Sequence, residues 1–396
     1  MSEWKISTIN ELYDFASGLS KPRDQFGFGY PFLSFKDVFY NYTLPTQLTQ
    51  LVNTTEKERV SCSVKEGDVF LTRTSETQEE LGISSVALKD YSNATFNGFT
   101  KRLRPKVKDV INPKFSAYYF RSPMFRALVT SMASMTTRAS LNNEMLSRLT
   151  ISYPSLPEQH AIAEVLSSLD DKIDLLHRNN ITLEEMAETL FRQWFVEGTK
   201  EDWDVGSVNT LVNIRSGYPF KSTSFTAHGS FRLITIKNVQ DGYLDLSRAD
   251  YITDVPKKTP DYCLLQTGDI LLSLTGNVGR CCLITTDNLL LNQRVAKLEP
   301  KNHRDWAFVY FYFRLSSTRR NLEEISKGTA QSNLSPIETG KIELSIPPEF
   351  LLSEYSKYVG PMLTKILANK TQIEELSQMR DTILPKLMSG QVRVKA

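Results

Sequence analysis

The sequence contains one unit twice, and this duplication constrains the fold more than any other feature. At an offset of 199 residues Trp4 matches Trp203, and later, at an offset of 193, Leu141 matches Leu334. This period far exceeds the roughly 20 to 50 residues of solenoid repeats, so each copy is expected to hold a whole domain. Further matched pairs are Ile6 with Val205, Leu12 with Leu211, Pro105 with Pro300, Pro154 with Pro347 and Thr189 with Thr382.

The first part of each copy predicts a mixed α/β domain. The runs FLSFKDV from Phe32 and LITIKNV from Leu233 are short and rich in residues that favour strands. The runs DVFLTR and DILLSL, each of which follows a Gly-Asp turn, predict strands for the same reason. Segments 114–129 and 305–325 have helical character, so both strands and helices are expected in each domain.

The second part of each copy predicts a long helix with a coiled-coil seam. In both copies apolar residues recur at alternating steps of four and three, which is the spacing of a heptad repeat. The first seam is Ile162, Leu166, Leu169, Ile173, Leu176, Asn180, Leu183, Ala187, Leu190 and Trp194. The second is Tyr355, Val359, Met362, Ile366, Asn369, Ile373, Leu376, Arg380, Ile383 and Leu387.

The predicted fold class is therefore α+β with an internal tandem duplication. We expect two globular domains, at 1–155 and 199–348, and two helices, at 156–198 and 349–396. A narrow apolar stripe needs a partner helix, and the other copy is the obvious one. If a pseudo-two-fold axis relates the copies and crosses the helices, the helices pair antiparallel and set the separation of the domains.

The helices contain residues that are expected to affect their continuity and their register. Gly360-Pro361 and Pro385 are expected to break or kink the second helix, which leaves 361–384 as its uninterrupted part. Asn180 and Asn369 stand at seam positions, where a buried polar residue can fix the register of a coiled coil. A polar residue that faces water would explain the same two asparagines.

The charges divide unevenly along the chain. The whole protein has a net charge of +2, but segment 156–198 carries nine acidic and three basic residues. Such a helix repels phosphate, so a nucleic acid would have to bind the globular domains. Their basic clusters are 101–108, Arg121, Arg126, Arg138 and Arg319-Arg320. Ordinary solvated surfaces would produce the same clusters.

The motifs of several catalytic classes are absent. The chain has no phosphate-binding loop of the G-x-x-x-x-G-K-[ST] type, no dinucleotide-binding glycine motif and no amino-methyltransferase tetrad. The four histidines lack metal-binding spacing, and Pro260-Asp261 with Glu299 and Lys301 only imitates a nuclease motif. We therefore predict no catalytic residue, no metal and no cofactor on this chain.

The cellular setting is predicted from the cysteines and from hydropathy. The four cysteines form no C-x-x-C pair, and the first residues, MSEWKISTINELYDF, lack the apolar stretch of a secretion signal. No uncharged apolar run approaches the length of a membrane span. A cytoplasmic protein without membrane contact is expected.

The segments around the helix starts resemble a known family. LNNEMLSRLTISYPSLPEQHAIAEVLSSLDDKID, from Leu141, and GTAQSNLSPIETGKIELSIPP, from Gly328, are similar to those of the specificity subunits of type I DNA restriction-modification systems. The resemblance covers essentially the full chain. It implies two target recognition domains, each reading one half of an asymmetric bipartite sequence in double-stranded DNA, and helices that act as a ruler.

The resemblance also implies partners. Two modification subunits would methylate adenine at N6 with S-adenosylmethionine, and restriction subunits would translocate and cleave DNA with ATP and Mg²⁺. Glu158 and Gln159 are candidates for docking a modification subunit. The second copy has Leu351 and Leu352 in their place, so the two docking sites would differ.

The duplication separates candidate phosphate contacts from candidate base contacts. Different half-sites share a backbone but not bases, so shared polar positions should serve the scaffold or the phosphates. The shared polar positions are Lys36 with Lys237 and Ser140 with Asn333. The basic clusters supply three more candidates for DNA binding, Lys101, Arg102 and Arg104. The candidates for reading bases are Arg23, Gln25, Arg73, Gln78, Lys221, Asn277 and Arg280, and those in the polar loops before the helices are Arg138, Gln331 and Asn333. An ordinary surface residue would explain each of these positions as well, and helix capping would explain those in the polar loops.

Two other functional classes stay open on the sequence alone. A coiled-coil scaffold that binds only proteins predicts no salt-sensitive affinity for DNA. A nuclease or methyltransferase acting alone predicts turnover by the purified chain, which the missing motifs disfavour.

Overall fold

A computed structural model describes residues 4–75, 77, 80–132, 134–135, 139–327 and 333–394. The chain divides into two compact units. Unit 1 comprises Met1–Ile173 and Leu376–Ala396, and unit 2 comprises Asp174–Glu375. Both long helices therefore contribute one part to each unit.

Unit 1 contains short strands and six short helices among its described residues, followed by the first long helix. The strands are β1 (Lys5–Thr8), β2 (Tyr13–Ser17), β3 (Phe26–Leu33), β4 (Gln50–Val52), β5 (Val69–Thr72), β6 (Thr74–Ser75), β7 (Ser84–Val86), β8 (Thr95–Phe96), β9 (Thr100–Pro105), β10 (Ser134–Met135), β11 (Ala139–Ser140) and β12 (Thr150–Tyr153). The helices are α1 (Ile9–Leu12), α2 (Phe35–Tyr40), α3 (Glu56–Ser61), α4 (Pro113–Tyr119), α5 (Pro123–Met132), α6 (Asn143–Arg148) and the long α7 (Leu156–Arg192).

Unit 2 follows a π-helical turn at Gln193–Glu197. Its strands are β13 (Asp204–Ser207), β14 (Val212–Ser216), β15 (Phe231–Ile234), β16 (Asp250–Ile252), β17 (Leu264–Leu265), β18 (Ile270–Ser273), β19 (Cys281–Leu283), β20 (Leu289–Leu291), β21 (Val295–Pro300) and β22 (Glu343–Ile346). Its helices are α8 (Trp306–Arg314), α9 (Ser316–Lys327), α10 (Pro336–Gly340) and the long α11 (Glu349–Met388).

The two units repeat one sheet topology. Unit 1 has an antiparallel sheet of order β2-β9-β5-β7, a sheet of order β4-β3-β8 and the pair β1-β12. Unit 2 has the corresponding orders β14-β21-β18-β19, β16-β15-β20-β17 and β13-β22. The parallel pair recurs as well, as β3 with β8 and as β15 with β20. The predicted duplication and the mixed α+β class are confirmed.

The two segments predicted to be helical are helical, and each contains two helices. Segment 114–129 contains most of α4 and most of α5, and 305–325 contains α8 and most of α9. In the first segment Pro123 begins α5 after a short turn, as is favourable for proline at a helix start. Aromatic side chains of both segments fill the domain cores, including Phe115, Phe125 and Phe308.

The long helices pack antiparallel within each unit, as predicted. In unit 1 Arg380 Nη1 on α11 donates to Asp170 Oδ1 on α7 at 2.8 Å. In unit 2 Asn369 Nδ2 donates to Asn180 Oδ1 at 2.7 Å, and the Tyr355 hydroxyl donates to the Ala187 carbonyl at 3.2 Å. Residues later in α7 thus contact residues earlier in α11, which is the pattern of an antiparallel pair.

The expected breaks in the second helix do not occur. Helix α11 runs without interruption from Glu349 to Met388, through Gly360-Pro361 and Pro385. A proline deprives the carbonyl four residues earlier of its donor, here the carbonyls of Lys357 and Asp381. Both of these residues are exposed, so water can satisfy their carbonyls, while buried neighbours on either side hold the helix in place.

The buried face of the helices is wider than the predicted seam. Ile162, Leu166 and Ile366 are buried as expected, but so are Leu363 and Leu384, which lie beside the seam. The reason is that each helix packs on a domain core as well as on the other helix, which requires a wider apolar stripe. The other seam positions are either buried or half-buried. The buried ones are Ile173, Leu176, Asn180, Ala187, Tyr355, Val359, Asn369 and Leu387, and the half-buried ones are Leu169, Leu183, Leu190, Trp194, Met362, Ile373, Leu376, Arg380 and Ile383. The water-facing alternative for the two asparagines is wrong.

Candidate nucleic-acid interface

A capped turn presents Lys36 on the surface of unit 1. Ser34 caps the start of helix α2: its Oγ accepts from the Asp37 amide at 3.2 Å, and its own amide donates to Asp37 Oδ2 at 2.9 Å. This reciprocal capping fixes the first turn of the helix. Lys36 lies within that turn and is exposed.

Unit 2 contains the same turn with different side chains. The Thr235 amide and hydroxyl both donate to Asn238 Oδ1, each at 2.9 Å, and Lys237 between them is exposed. Thr235 and Asn238 thus replace Ser34 and Asp37 while the lysine is kept. The shared lysine is presented by the same local structure in both units.

A second shared element is a Ser-Gly loop that passes close to the residue after β8 in unit 1 and after β20 in unit 2. A Cβ on Gly18 would lie 2.3 Å from the Asn97 carbonyl oxygen, and one on Gly217 would lie 2.4 Å from the Asn292 carbonyl oxygen. No side chain fits at such distances, so only glycine is compatible with this crossing. The loop that contains Asn97 or Asn292 is thereby held beside the capped turn, since the amides of these residues donate to the Leu33 and Ile234 carbonyls.

In unit 2 these elements surround a cleft of about 410 Å³. Lys237 and Arg294 are exposed cations on its lining, and Phe220 supplies apolar surface. The amide side chains of Asn292 and Gln293 add hydrogen-bonding groups. Cations beside amides and an aromatic ring are the groups that contact phosphates and base edges.

Unit 1 has a different residue at the position of Arg294. The Arg73 amide donates to the Phe99 carbonyl at 2.9 Å, and in unit 2 the Leu274 amide donates to the Arg294 carbonyl at 3.0 Å. Phe99 is 57% exposed. The sequence-based candidates missed both Phe99 and Arg294. The offset of 195 that relates Pro105 to Pro300 could have found them, because it pairs these two positions.

The predicted base-reading residues occupy varied environments. Arg23, Lys221 and Asn277 are exposed, Gln25 accepts from Asn53 Nδ2 at 2.9 Å, and half-buried Arg73 lies 3.5 Å from the Gly98 carbonyl. Arg280 donates to Gln240 Oε1 and is half-buried. Asn333 is exposed and forms a β-bridge with Thr275, as Ser140 pairs with Thr74 in unit 1. Gln78, Arg138 and Gln331 lie outside the described residues.

Three basic candidates have partners within unit 1, and two of them, Lys101 and Arg102, are buried. Lys101 is 8% exposed and donates to Ser17 Oγ at 2.9 Å and to Asn143 Oδ1 at 2.8 Å. Burial, and next the charge of Arg73, lower the pKa of the Lys101 ammonium. Arg102 donates to the Ser63 carbonyl at 2.6 Å. Both faces of β9 are covered, so its basic side chains find partners inside the domain.

Arg104, the third of these candidates, neutralises a buried carboxylate. Its Nε and Nη2 donate to Asp68 at 2.7 and 2.6 Å, and Asp68 is fully buried. Unit 2 repeats the pair with a different cation, since Lys297 Nζ lies 2.8 Å from Asp269. The pair therefore belongs to the shared scaffold around the Gly-Asp turn.

Two further arginines of the basic clusters serve the core of unit 1. Arg121 donates to the carbonyls of Ser84, Val38, Phe39 and Asn41 at 2.6 to 2.9 Å. Burial lowers its pKa to about 10. Arg126 donates to the Leu81 carbonyl. These side chains fasten loops to the domain and are not available as a phosphate-binding patch.

Glu158 and Gln159, the docking candidates, are buried at the start of α7. Gln159 accepts from the Asn112 amide at 2.8 Å and donates to the Val110 and Pro154 carbonyls at 3.0 Å. Glu158 accepts from Arg393 Nη2 at 2.6 Å. Their polar groups hold α7 to the domain and to the end of the chain, which gives them a structural role in place of an exposed docking surface.

A metal site, a nuclease-like group and a membrane span are three features that the described residues can be checked for. Across them, no group of three or more histidine, cysteine, aspartate or glutamate side chains is arranged to hold a metal ion. Glu299, from the nuclease-like pattern, accepts from Arg215 Nε at 3.3 Å on the neighbouring strand. No helix in the described part of the chain has the length and apolar character needed to cross a membrane.

Comparisons with known proteins agree with this architecture. The specificity subunits of the type I restriction enzymes MjaIX of Methanocaldococcus jannaschii and HindI of Haemophilus influenzae are 25% and 21% identical to this chain. Each match covers 99% of the chain and 94% or 100% of the relative. The crystal structure of a type I restriction-modification S subunit from M. genitalium is 17% identical, covers 97% of this chain and 96% of its own, and superposes with a TM-score of 0.63.

The family match also covers most of the chain. Residues 1–185 and 200–355, which include most of both copies of the internal duplication, match the family described as the type I restriction modification DNA specificity domain. The duplicated α+β fold is consistent with two such domains in tandem. The chain belongs to the type I restriction-modification DNA specificity family.

Proposed function

We propose that this chain is the sequence-specific DNA-binding subunit of a type I restriction-modification complex. Each α+β domain reads one half of an asymmetric bipartite target in double-stranded DNA. The observation that carries this proposal is the repeated capped turn, which presents Lys36 in unit 1 and Lys237 in unit 2 beside loops that differ between the units.

The shared lysines suit contacts with the DNA backbone. Phosphates are the same in both half-sites, so a cation held in the same local structure twice fits a phosphate contact. The neighbouring loops differ in sequence, as in residues 19–30 against 218–230. Different loops on a common scaffold provide the different hydrogen-bonding patterns that two unlike half-sites demand.

The chain itself recognises DNA and performs no chemistry. Two modification subunits bind it and methylate adenine at N6 with S-adenosylmethionine, and restriction subunits bound to the same complex cleave DNA with ATP and Mg²⁺. These cofactors belong to the partner subunits. The separation of the half-sites by the paired helices remains a prediction.

The proposal is tested by mapping N6-methyladenine in the genome of cells that express this gene together with its modification-subunit gene. Loss of methylation at an asymmetric split motif when only this gene is deleted is the expected result. Replacing residues 1–155 with those of a relative should then change one half of the motif and leave the other intact.

A protein-binding scaffold without DNA specificity is the alternative. It predicts the same methylation pattern in the presence and absence of this gene while the modification subunit is expressed and active. That outcome would overturn the proposal. Unchanged motifs after the domain replacement would overturn the assignment of one half-site to each domain.

A further inference from the structure

We infer that the residue just before β9 in unit 1 and β21 in unit 2 is a base-reading position, occupied by Phe99 and Arg294. Arg294 pairs with a guanine of one half-site, and Phe99 contacts a thymine methyl group of the other. The inference rests on the proposed function and adds the chemistry by which the two domains differ.

The two residues are structurally equivalent. Their carbonyls accept from the amides of Arg73 and Leu274, which hold the same place after β5 and β18. Two residues earlier, Asn97 and Asn292 form matching parallel bridges with Leu19 and Tyr218 of the Ser-Gly loops. The backbone of this loop is thus fixed on both sides in each unit, and only the side chain changes.

Neither side chain is needed by the fold. Phe99 is more than half exposed, whereas the flanking Gly98 and Thr100 are buried, so the aromatic ring projects outwards from a buried backbone. Arg294 is also exposed, and its guanidinium has no hydrogen bond or ion pair with any residue that the structure describes. A large apolar ring, and a cation without a hydrogen-bonded partner among the described residues, are free to meet a ligand.

The surroundings in unit 2 indicate DNA as that ligand. Arg294 shares its cleft with Lys237, the proposed phosphate contact, and with the amide of Gln293. Phosphate contacts fix the register of a protein on the duplex, so a side chain beside Lys237 is brought to the base edges. The carboxylate of Asp250 also lines the cleft.

The two chemistries predict different bases. Arginine reads guanine by donating two hydrogen bonds to O6 and N7 in the major groove. Phenylalanine donates none, but its ring makes apolar contact with the C5-methyl group that only thymine carries in the major groove. The same position therefore selects guanine in the half-site of unit 2 and thymine in that of unit 1.

The experiment selects sequences from a double-stranded DNA library with two randomised blocks, using the full chain in complex with its modification subunits. For Arg294→Ala we expect the preference for guanine to fall at least about fivefold at one position of one half-site, with the rest of the motif unchanged. For Phe99→Ala the preference for thymine should fall at one position of the other half-site. Phe99→Arg should introduce a preference for guanine there.

Matched controls separate this role from a general effect of truncation. Arg192→Ala removes an exposed arginine from α7, and Val107→Ala trims an exposed apolar residue of unit 1. Both are expected to leave the selected motif unchanged. All of these positions are on the surface, so the variants should fold like the parent protein.

Three outcomes decide the inference. An unchanged motif in the Arg294→Ala and Phe99→Ala variants overturns it, and so does an equal loss of affinity for every sequence, which marks a phosphate contact. If the parent complex selects no sequence that depends on this chain, the proposed function fails instead. A change confined to one position of each half-site supports the inference.

Discussion

At the scale of single residues, the basic side chains of unit 1 divide into those that hold the fold and those that face solvent. Arg104 on β9 shows the first kind, because it is the ion-pair partner of the fully buried carboxylate of Asp68. Asp68 also accepts from the Lys65 amide at 2.8 Å and so shapes the Gly-Asp turn. A buried charge of this kind is tolerated only while its partners are in place.

We predict that Arg104→Ala lowers the free energy of unfolding by about 2 to 4 kcal/mol, because it leaves the Asp68 carboxylate buried without its cation. Arg148→Ala is the control, since it removes an exposed arginine paired with Glu144 four residues away on α6. Its cost should be within about 0.5 kcal/mol. Urea unfolding measures both, and equal costs for the two variants would show that the buried pair has no special importance.

The sequence could not separate these two kinds of residue. The run Lys101 to Arg104 reads as a basic surface cluster, and a strand with one solvated face would expose part of it. Both faces of β9 are instead covered, so Lys101 and Arg102 donate to groups inside the domain. Partners such as Asn143 and Ser63 are far apart in the sequence, which is why no local pattern predicted the contacts.

At the scale of the elements, Asn180 and Asn369 form the polar contact that links α7 and α11 in unit 2. Both side chains are buried, and Asn369 Nδ2 donates to Asn180 Oδ1. Asn369 Oδ1 has no hydrogen-bond partner among the described residues. The pair therefore costs stability, as expected of a buried polar contact that specifies how two helices align.

We predict that Asn180→Leu destabilises the protein by about 1 to 3 kcal/mol, since it leaves the whole Asn369 amide buried without a partner. Combining it with Asn369→Leu should recover that loss, because the double variant replaces both polar groups with apolar ones. Urea unfolding of the four proteins in a double-mutant cycle tests the coupling. Additive losses would contradict it.

The helices themselves were predictable, but their continuity and full buried face were not. The heptad spacing identified both seams, and a pseudo-two-fold axis between the two copies of the duplication predicted the antiparallel pair. The break expected at Pro361 is absent. The prediction took account of the lost backbone hydrogen bond but not of the side chains that pack on either side of the proline. The buried neighbours Val359 and Leu363 belong to the same core as Phe308 of the domain, and that packing outweighs the lost backbone hydrogen bond.

At the scale of the whole molecule, unit 1 is assembled from both ends of the chain. Leu384, Leu387 and Met388 of α11 belong to the same buried core as Ile9 and Tyr13 near the start of the chain. Unit 2 has a separate core, to which the first part of α11 contributes Tyr355 and Val359. The duplication in the sequence predicted two domains, but a linear sequence does not show which part of a long helix completes which core.

This division predicts that one substitution near the end of the chain weakens only unit 1. Met388 is fully buried, so Met388→Ala should destabilise unit 1 by about 2 to 5 kcal/mol through lost apolar contacts and a cavity. Hydrogen exchange measured by mass spectrometry should show lost protection in β2 and β9 of unit 1, and unchanged protection in β14 and β21 of unit 2.

The control for that prediction is Met379→Ala, which makes the same chemical change on the same helix. Met379 is 53% exposed, so its truncation should change the stability of unit 1 by no more than about 0.5 kcal/mol. Loss of protection in both units of the Met388→Ala variant would mean that the two cores unfold together. Protection lost in unit 1 alone would show that the first and last segments of the chain unfold together as one cooperative unit, independently of unit 2.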